Sequence, residues 1–170
     1  MLFRLYLGRK RTLKIFSLIE KESDLFKFCQ INKYTERTKI IFIPQFDSGD
    51  SIGHFVLNIV DMKEKTIYLM NSLDEWNVLF CPAKVMFKEF NGPLKLETPQ
   101  QPENSLQCGF RMLFNIFKSI ESYLLNYSLS FEFNDDEFNS FSEFIVDLHN
   151  TFIKLSSFHW KQIQKEKHSF

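Results

Sequence analysis

Chain-breaking residues are scarce: 170 residues hold only 5 glycines and 5 prolines. That excludes collagen-like repeats and long Gly/Pro-rich linkers, so most of the chain must enter regular elements. Cysteine is scarce too, with 3 residues, at positions 29, 81 and 108. An odd count without close spacing argues against a disulfide framework or a structural metal site, and fits a reducing compartment. Net charge is absent, since Lys plus Arg and Asp plus Glu stand at 21 each. Bulk charge therefore draws the chain to neither nucleic acid nor membrane. The one basic run, "RKRTLK" at 9–14, reads as a solvated face. No segment approaches the ~20 apolar residues of a membrane span. The start, "MLFRLYLGRKR", is broken by Arg4 and carries no secretory cleavage site. The expectation is a soluble intracellular protein of cytoplasm or nucleus.

Phenylalanine is abundant, with 21 residues in a chain that is 44% hydrophobic. A bulky core is expected, within a single domain, 1–170. Three parts are expected in it: a helical part at 1–38, a core at 39–126 and C-terminal helices at 127–170. In the first, apolar residues 13, 16, 19, 25, 28 and 29 recur at helical spacing. "KIIFI", 39–43, reads as a strand ended by Pro44. "HFVLNIV" (54–60) and "KTIYLMN" (65–71) read as a hairpin around "DMKE". Pro82 suits the first turn of a helix that stops at Asn91-Gly92-Pro93, and "LKLET", 94–98, alternates like a strand. A strong helix is expected over 108–126 and another over 134–155, with acidic residues in its first turn. The class is α+β: a small central mixed sheet flanked by helices.

Chemistry collects around "QQPENSLQCG", 100–109. Cys108 opens a helix, where unpaired N–H groups and the helix dipole favour a thiolate. A thiolate needs an imidazole to share its proton and donors for the oxyanion. If residues 60 and 65 flank the hairpin loop, His54 and Asn71 stand directly opposite each other on one face, and the asparagine can orient the imidazole. Asp74 is the alternative orienter. Gln101, with the backbone N–H of Cys108, can supply the oxyanion donors, and Gly109 lets substrate approach the helix start. Each residue also has an ordinary reading: Cys108 as a small core hydrophobe, "QQPEN" as a turn, and Trp76 as core rather than groove lining. Cys29, Cys81, His149, His159 and His168 read as structural or solvated.

"GHFVLNIVDMKEKTIYLMNSL" followed by "QPENSLQCG" resembles the cysteine proteases of clan CE, which include the adenovirus endoprotease and the SUMO- and ubiquitin-like-specific proteases. Their chain order of His, then Asp, Glu or Asn, then Gln, then Cys is matched by His54, Asn71, Gln101 and Cys108. The gap of seven from Gln101 to Cys108 looks adenovirus-like, as does that of seventeen from His54 to Asn71. The likeness spans roughly 53–120. It implies a papain-like architecture with Cys108 at the start of a buried helix, no cofactor or metal, and a protein or polyprotein substrate cut after a small residue such as Gly. A ubiquitin-like modifier as substrate, a same-fold acyltransferase, and a module that has lost activity remain open. A peptide activator, as in the adenovirus enzymes, is also open, whereas DNA binding has no charge footprint. Two residues depart from the family: Phe55 replaces a tryptophan that helps line the substrate channel, and Asn71 replaces the usual acid.

Overall fold

Four isoleucine and phenylalanine side chains in a row, Ile40–Ile43, are fully buried, so the strand that carries them must have both edges paired and both faces covered. The computed structural model describes residues 13–16, 18–19, 38–47, 53–73, 80–102 and 105–167, with side chains to 154. In it five strands form one mixed sheet in the order β1 (Leu13–Ile15), β2 (Ile40–Asp47), β3 (His54–Asp61), β4 (Thr66–Met70), β5 (Asn91–Lys95). β1 runs parallel to β2, β2–β3 and β3–β4 are antiparallel, and β5 is parallel to β4. Three helices complete the order: α1 (Pro82–Met86), α2 (Cys108–Asn126) and α3 (Asp135–Lys167). The expected α+β class with a mixed sheet is present.

Alternation along the strands divides the core between two faces. Ile41, Ile43, Val60 and Ile67 pack with Phe16, Ile19, Ala83 and Phe87 on the side of α1. Ile40, Phe42, Leu57, Ile59 and Met70 pack with Met112, Ile116 and Ile120 of α2 on the other. Residues 1–132 and 133–170 form two compact units. In the second, Asn134 Oδ1 accepts from the N–H groups of Asp136 and Glu137 at the start of α3.

Several expectations are corrected. Residues 13–15, placed in a helix by their spacing, form a strand because the buried edge of β2 needs backbone partners; beyond it, Phe16 N donates to Phe42 O at 2.8 Å. Residues 1–12, 20–37 and 168–170, with the remaining helical spacing and Cys29, lie outside the described residues. Pro44 does not end β2. Its carbonyl accepts from Ile19 N at 3.0 Å on the side away from β3, so its missing N–H removes no β2–β3 bond. The helix at Pro82 is one turn long. Phe87 turns into the core, its ring 5.1 Å from that of Phe90, and Asn91 N then bonds Lys65 O at 2.9 Å to open β5. The expected stop at Asn91-Gly92-Pro93 thus lies inside a strand, at a register shift between β4 and β5. Gly92 is required there: its φ is +96°, and a Cβ would sit 2.3 Å from Ile67 O. The helix over 108–126 has the expected bounds, and α3 continues beyond 155 to Lys167.

Candidate active site

The β3–β4 register differs from the expected one. Asp61 pairs with Thr66 and Leu57 with Met70, so the loop is 62–65, one residue later than "DMKE". Asp61 sets it: its Oδ1 accepts from the N–H groups of Lys63 and Glu64, both at 2.9 Å, while Lys65 closes the turn at φ 49°. His54 and Asn71 are therefore diagonal rather than directly opposite. The shift between partners is two residues, which preserves the face, and diagonal side chains remain within reach. His54 Nε2 bonds Asn71 Oδ1 at 2.8 Å, with the ring 1% exposed.

This bond fixes the histidine tautomer. Leu73 N, which can only donate, also bonds Asn71 Oδ1, at 3.0 Å, so the atom facing His54 is the amide oxygen. An oxygen acceptor requires the hydrogen on Nε2. Neutral His54 then carries its lone pair on Nδ1, the nitrogen that can serve as a base. Burial pushes the imidazolium pKa down, partly opposed by the Asn71 bond and by the Asp47 charge. Asp47 pairs with His54 across β2–β3. Sequence reading missed this residue because it ended β2 at Pro44.

Gln101 is placed by the same region. Its backbone N donates to Ser72 O at 2.8 Å, and Gln100 Nε2 donates to Asn71 O at 3.3 Å. The Gln101 amide is oriented in turn: Nε2 donates to Ser105 O at 3.0 Å, which puts Oε1 toward the Ser72 hydroxyl, 3.1 Å away. Arg111, buried one turn into α2, reaches Pro99 O and Gln107 Oε1 at 3.5 and 3.4 Å. Asn115 Nδ2 donates to Thr98 Oγ1 at 3.0 Å. These bonds fasten both ends of the 98–107 loop to α2. Ser72 and Arg111 had no sequence signal, since their partners are remote in the chain.

Cys108 is the first residue of α2, where helix N–H groups lack intrahelical partners. The preceding Gln107 does not cap them with its side chain. Phe55 meets this end of the helix: a Cβ on Gly109 would lie 3.4 Å from its ring, ordinary contact. The Phe46 ring is 4.8 Å from that of Phe55, and a side chain on Gly53 would strike it. The start of β3, the ends of β2 and β4, the Gln101 loop and the start of α2 thus meet at one end of the sheet. Asp74 and Trp76 lie outside the described residues. Cys81, expected in the core, donates to Asn58 Oδ1 at 3.1 Å, and burial pushes its thiol pKa up. His149 lies in α3. Among the described residues no group of three or more His, Cys, Asp or Glu is placed to hold a metal ion, and no helix is long and apolar enough to cross a membrane.

No family model matches the chain, and no curated protein matches it. Among solved structures it is similar to the SUMO protease Ulp1 with its catalytic cysteine oxidised to a sulfenic acid. That likeness has 20% identity over 75% of this chain and 66% of that one, with a TM-score of 0.48. The C-terminal Ulp1 protease domain in complex with Smt3, the yeast ortholog of SUMO, is 20% identical over 61% and 57% of the two chains, with a TM-score of 0.39. The Chlamydia abortus effector protein ChlaDUB is 17% identical over 68% and 60%, with a TM-score of 0.40. The chain spans 57% to 66% of the length of these structures.

Proposed function

We propose that the chain is a thiol endopeptidase that cleaves a protein substrate after a small residue such as glycine. The observation that carries this reading is the buried His54–Asn71 hydrogen bond, at the end of the sheet where α2 begins with Cys108. In the proposed reaction His54 Nδ1 takes the Cys108 proton, and the sulfur attacks the substrate carbonyl carbon. The oxyanion is held by the backbone N–H of Cys108 and by the second N–H of the Gln101 amide. As the C–N bond breaks, the imidazolium returns its proton to the leaving amine. Water, deprotonated by His54, then cleaves the thioester and frees the sulfur. Asn71 holds the tautomer throughout but carries no charge.

The Gln101–Cys108 gap favours a maturation enzyme acting on a precursor polyprotein, viral or virus-derived, over a deconjugase that removes a ubiquitin-like modifier. The odd cysteine count supports a reducing compartment, the cytoplasm or nucleus, or a virion if the enzyme is viral. A thiol-alkylating probe tests the chemistry, with Cys108 expected to label far faster than Cys29 or Cys81. Equal labelling of the three overturns the reading. Peptides with a Gly-Gly cleavage site, set against ubiquitin-like proteins carrying C-terminal reporters, test the substrate; preferential turnover of the modifiers overturns the maturation role.

A further inference from the structure

Asn71 orients the imidazole but provides no negative charge, whereas the proposed reaction passes through an imidazolium twice. Across the other edge of β3, Asp47 is the direct register partner of His54. Directly opposed residues share a face, with β-carbons about 4.5–5.5 Å apart. The imidazole therefore lies in a row across three strands, with a carboxylate on the β2 side and a neutral amide on the β4 side. We propose that Asp47 is a positioning residue that steadies the charged form of His54, doing across β2–β3 what an acid at position 71 would do across β3–β4.

The groups at this end of the sheet support the assignment. β4 brings the neutral Asn71, and α2 brings the Cys108 thiol to the same end of the sheet. Asp47 is the charged residue set opposite His54 by the β2–β3 register, and its charge opposes the desolvation that lowers the imidazolium pKa. Asp47 is half-buried, so its field is less screened than that of a fully exposed carboxylate. The role in turnover rests on the thiol-peptidase reading; the coupling of Asp47 to His54 does not.

The test follows the His54 ring resonances against pH by NMR, in the full chain carrying Cys108→Ala so that no thiol titration overlaps. Adding Asp47→Asn is expected to move the His54 midpoint down by about half a pH unit or more, at least a threefold change in proton affinity. Adding Asn71→Asp to that variant is expected to restore it. An unchanged midpoint overturns the proposal, as does a downward move on Asp50→Asn or Asp74→Asn in place of Asp47→Asn. Should Asp47→Asn not fold, the chain with Asp47 intact is titrated in low salt and in ~1 M salt; screening is expected to lower the midpoint, and a fixed value overturns the proposal. With Cys108 present, Asp47→Asn is expected to slow iodoacetamide alkylation of Cys108 severalfold at neutral pH. Fast alkylation in the wild type together with an unmoved midpoint sinks the Asp47 role and leaves the peptidase. Slow alkylation with a moved midpoint does the reverse.

Discussion

Asn71→Ala removes one acceptor from two donors, His54 Nε2–H at 2.8 Å and Leu73 N–H at 3.0 Å. The imidazole is 1% exposed, so water does not replace the lost partner. An unmet buried donor costs about 1–3 kcal/mol. The same change frees the ring to carry its hydrogen on Nδ1, where it is useless as a base. With 1.36 kcal/mol per decade, turnover of a Gly-containing reporter peptide is expected to fall roughly 5- to 150-fold. KM should change little, because Asn71 acts on the imidazole and not on substrate. Urea unfolding of the variant should show a loss of about 1–3 kcal/mol, from the same unmet donor. Asn71→Asp keeps the acceptor and should retain most of the rate. Wild-type turnover in Asn71→Ala, with activity abolished by Asp74→Ala, would refute the assignment of the orienting residue.

Burial holds the His54 pKa below its ordinary 6.5, so the unfolded chain binds that proton at higher pH than the folded one. The stability contributed by neutral His54 is therefore full above about pH 6.5 and is lost as pH falls from there through the folded value. Thermal melts between pH 7.5 and 5 should drop more steeply for the wild type than for His54→Gln; parallel curves contradict this. Ser72→Ala removes the hydroxyl facing Gln101 Oε1 and should reduce kcat by about three- to tenfold with KM nearly constant, from the ~1 kcal/mol of one hydrogen bond. Gly92→Ala places a Cβ 2.3 Å from Ile67 O at a φ of +96° and should cost about 2 kcal/mol or more in denaturant unfolding; a neutral result rejects the β4–β5 geometry. Asn58→Ala strands Gln45 Oε1 and the Cys81 thiol in the core and should cost about 2–4 kcal/mol, with kcat retained per folded molecule.

Local pattern carried much of this structure. The helical spacing of 108–126 and its Cys-Gly opening set the bounds of α2, and two β-rich runs on either side of a charged tetrapeptide marked β3 and β4. What misled were signals whose partners lie far along the chain. Pro44 is a strand breaker only if its N–H is needed, and the side on which β3 pairs is decided in three dimensions. Leu13, Phe16 and Ile19 fit a helix until the buried edge of β2 asks for backbone partners.

The sequence by itself determined which chemical groups are present and in what order: an imidazole, an amide, a second amide and a thiol at a helix start. It also led to the expectation that His54 and Asn71 share a face, which holds because the observed register differs from the expected one by an even shift between partners. The register expected from sequence is one residue early although its cause is local, Asp61 accepting from Lys63 N and Glu64 N within its own turn; the longer-range placements were left to the tertiary structure. Only it placed Asp47 opposite His54, Ser72 beside Gln101 and Arg111 under the loop before Cys108. The Ser72–Gln101 and Arg111–Pro99 bonds join residues remote in the chain and form because a buried polar group must find a partner wherever folding brings one, whereas Asp47 is set opposite His54 by the β2–β3 register.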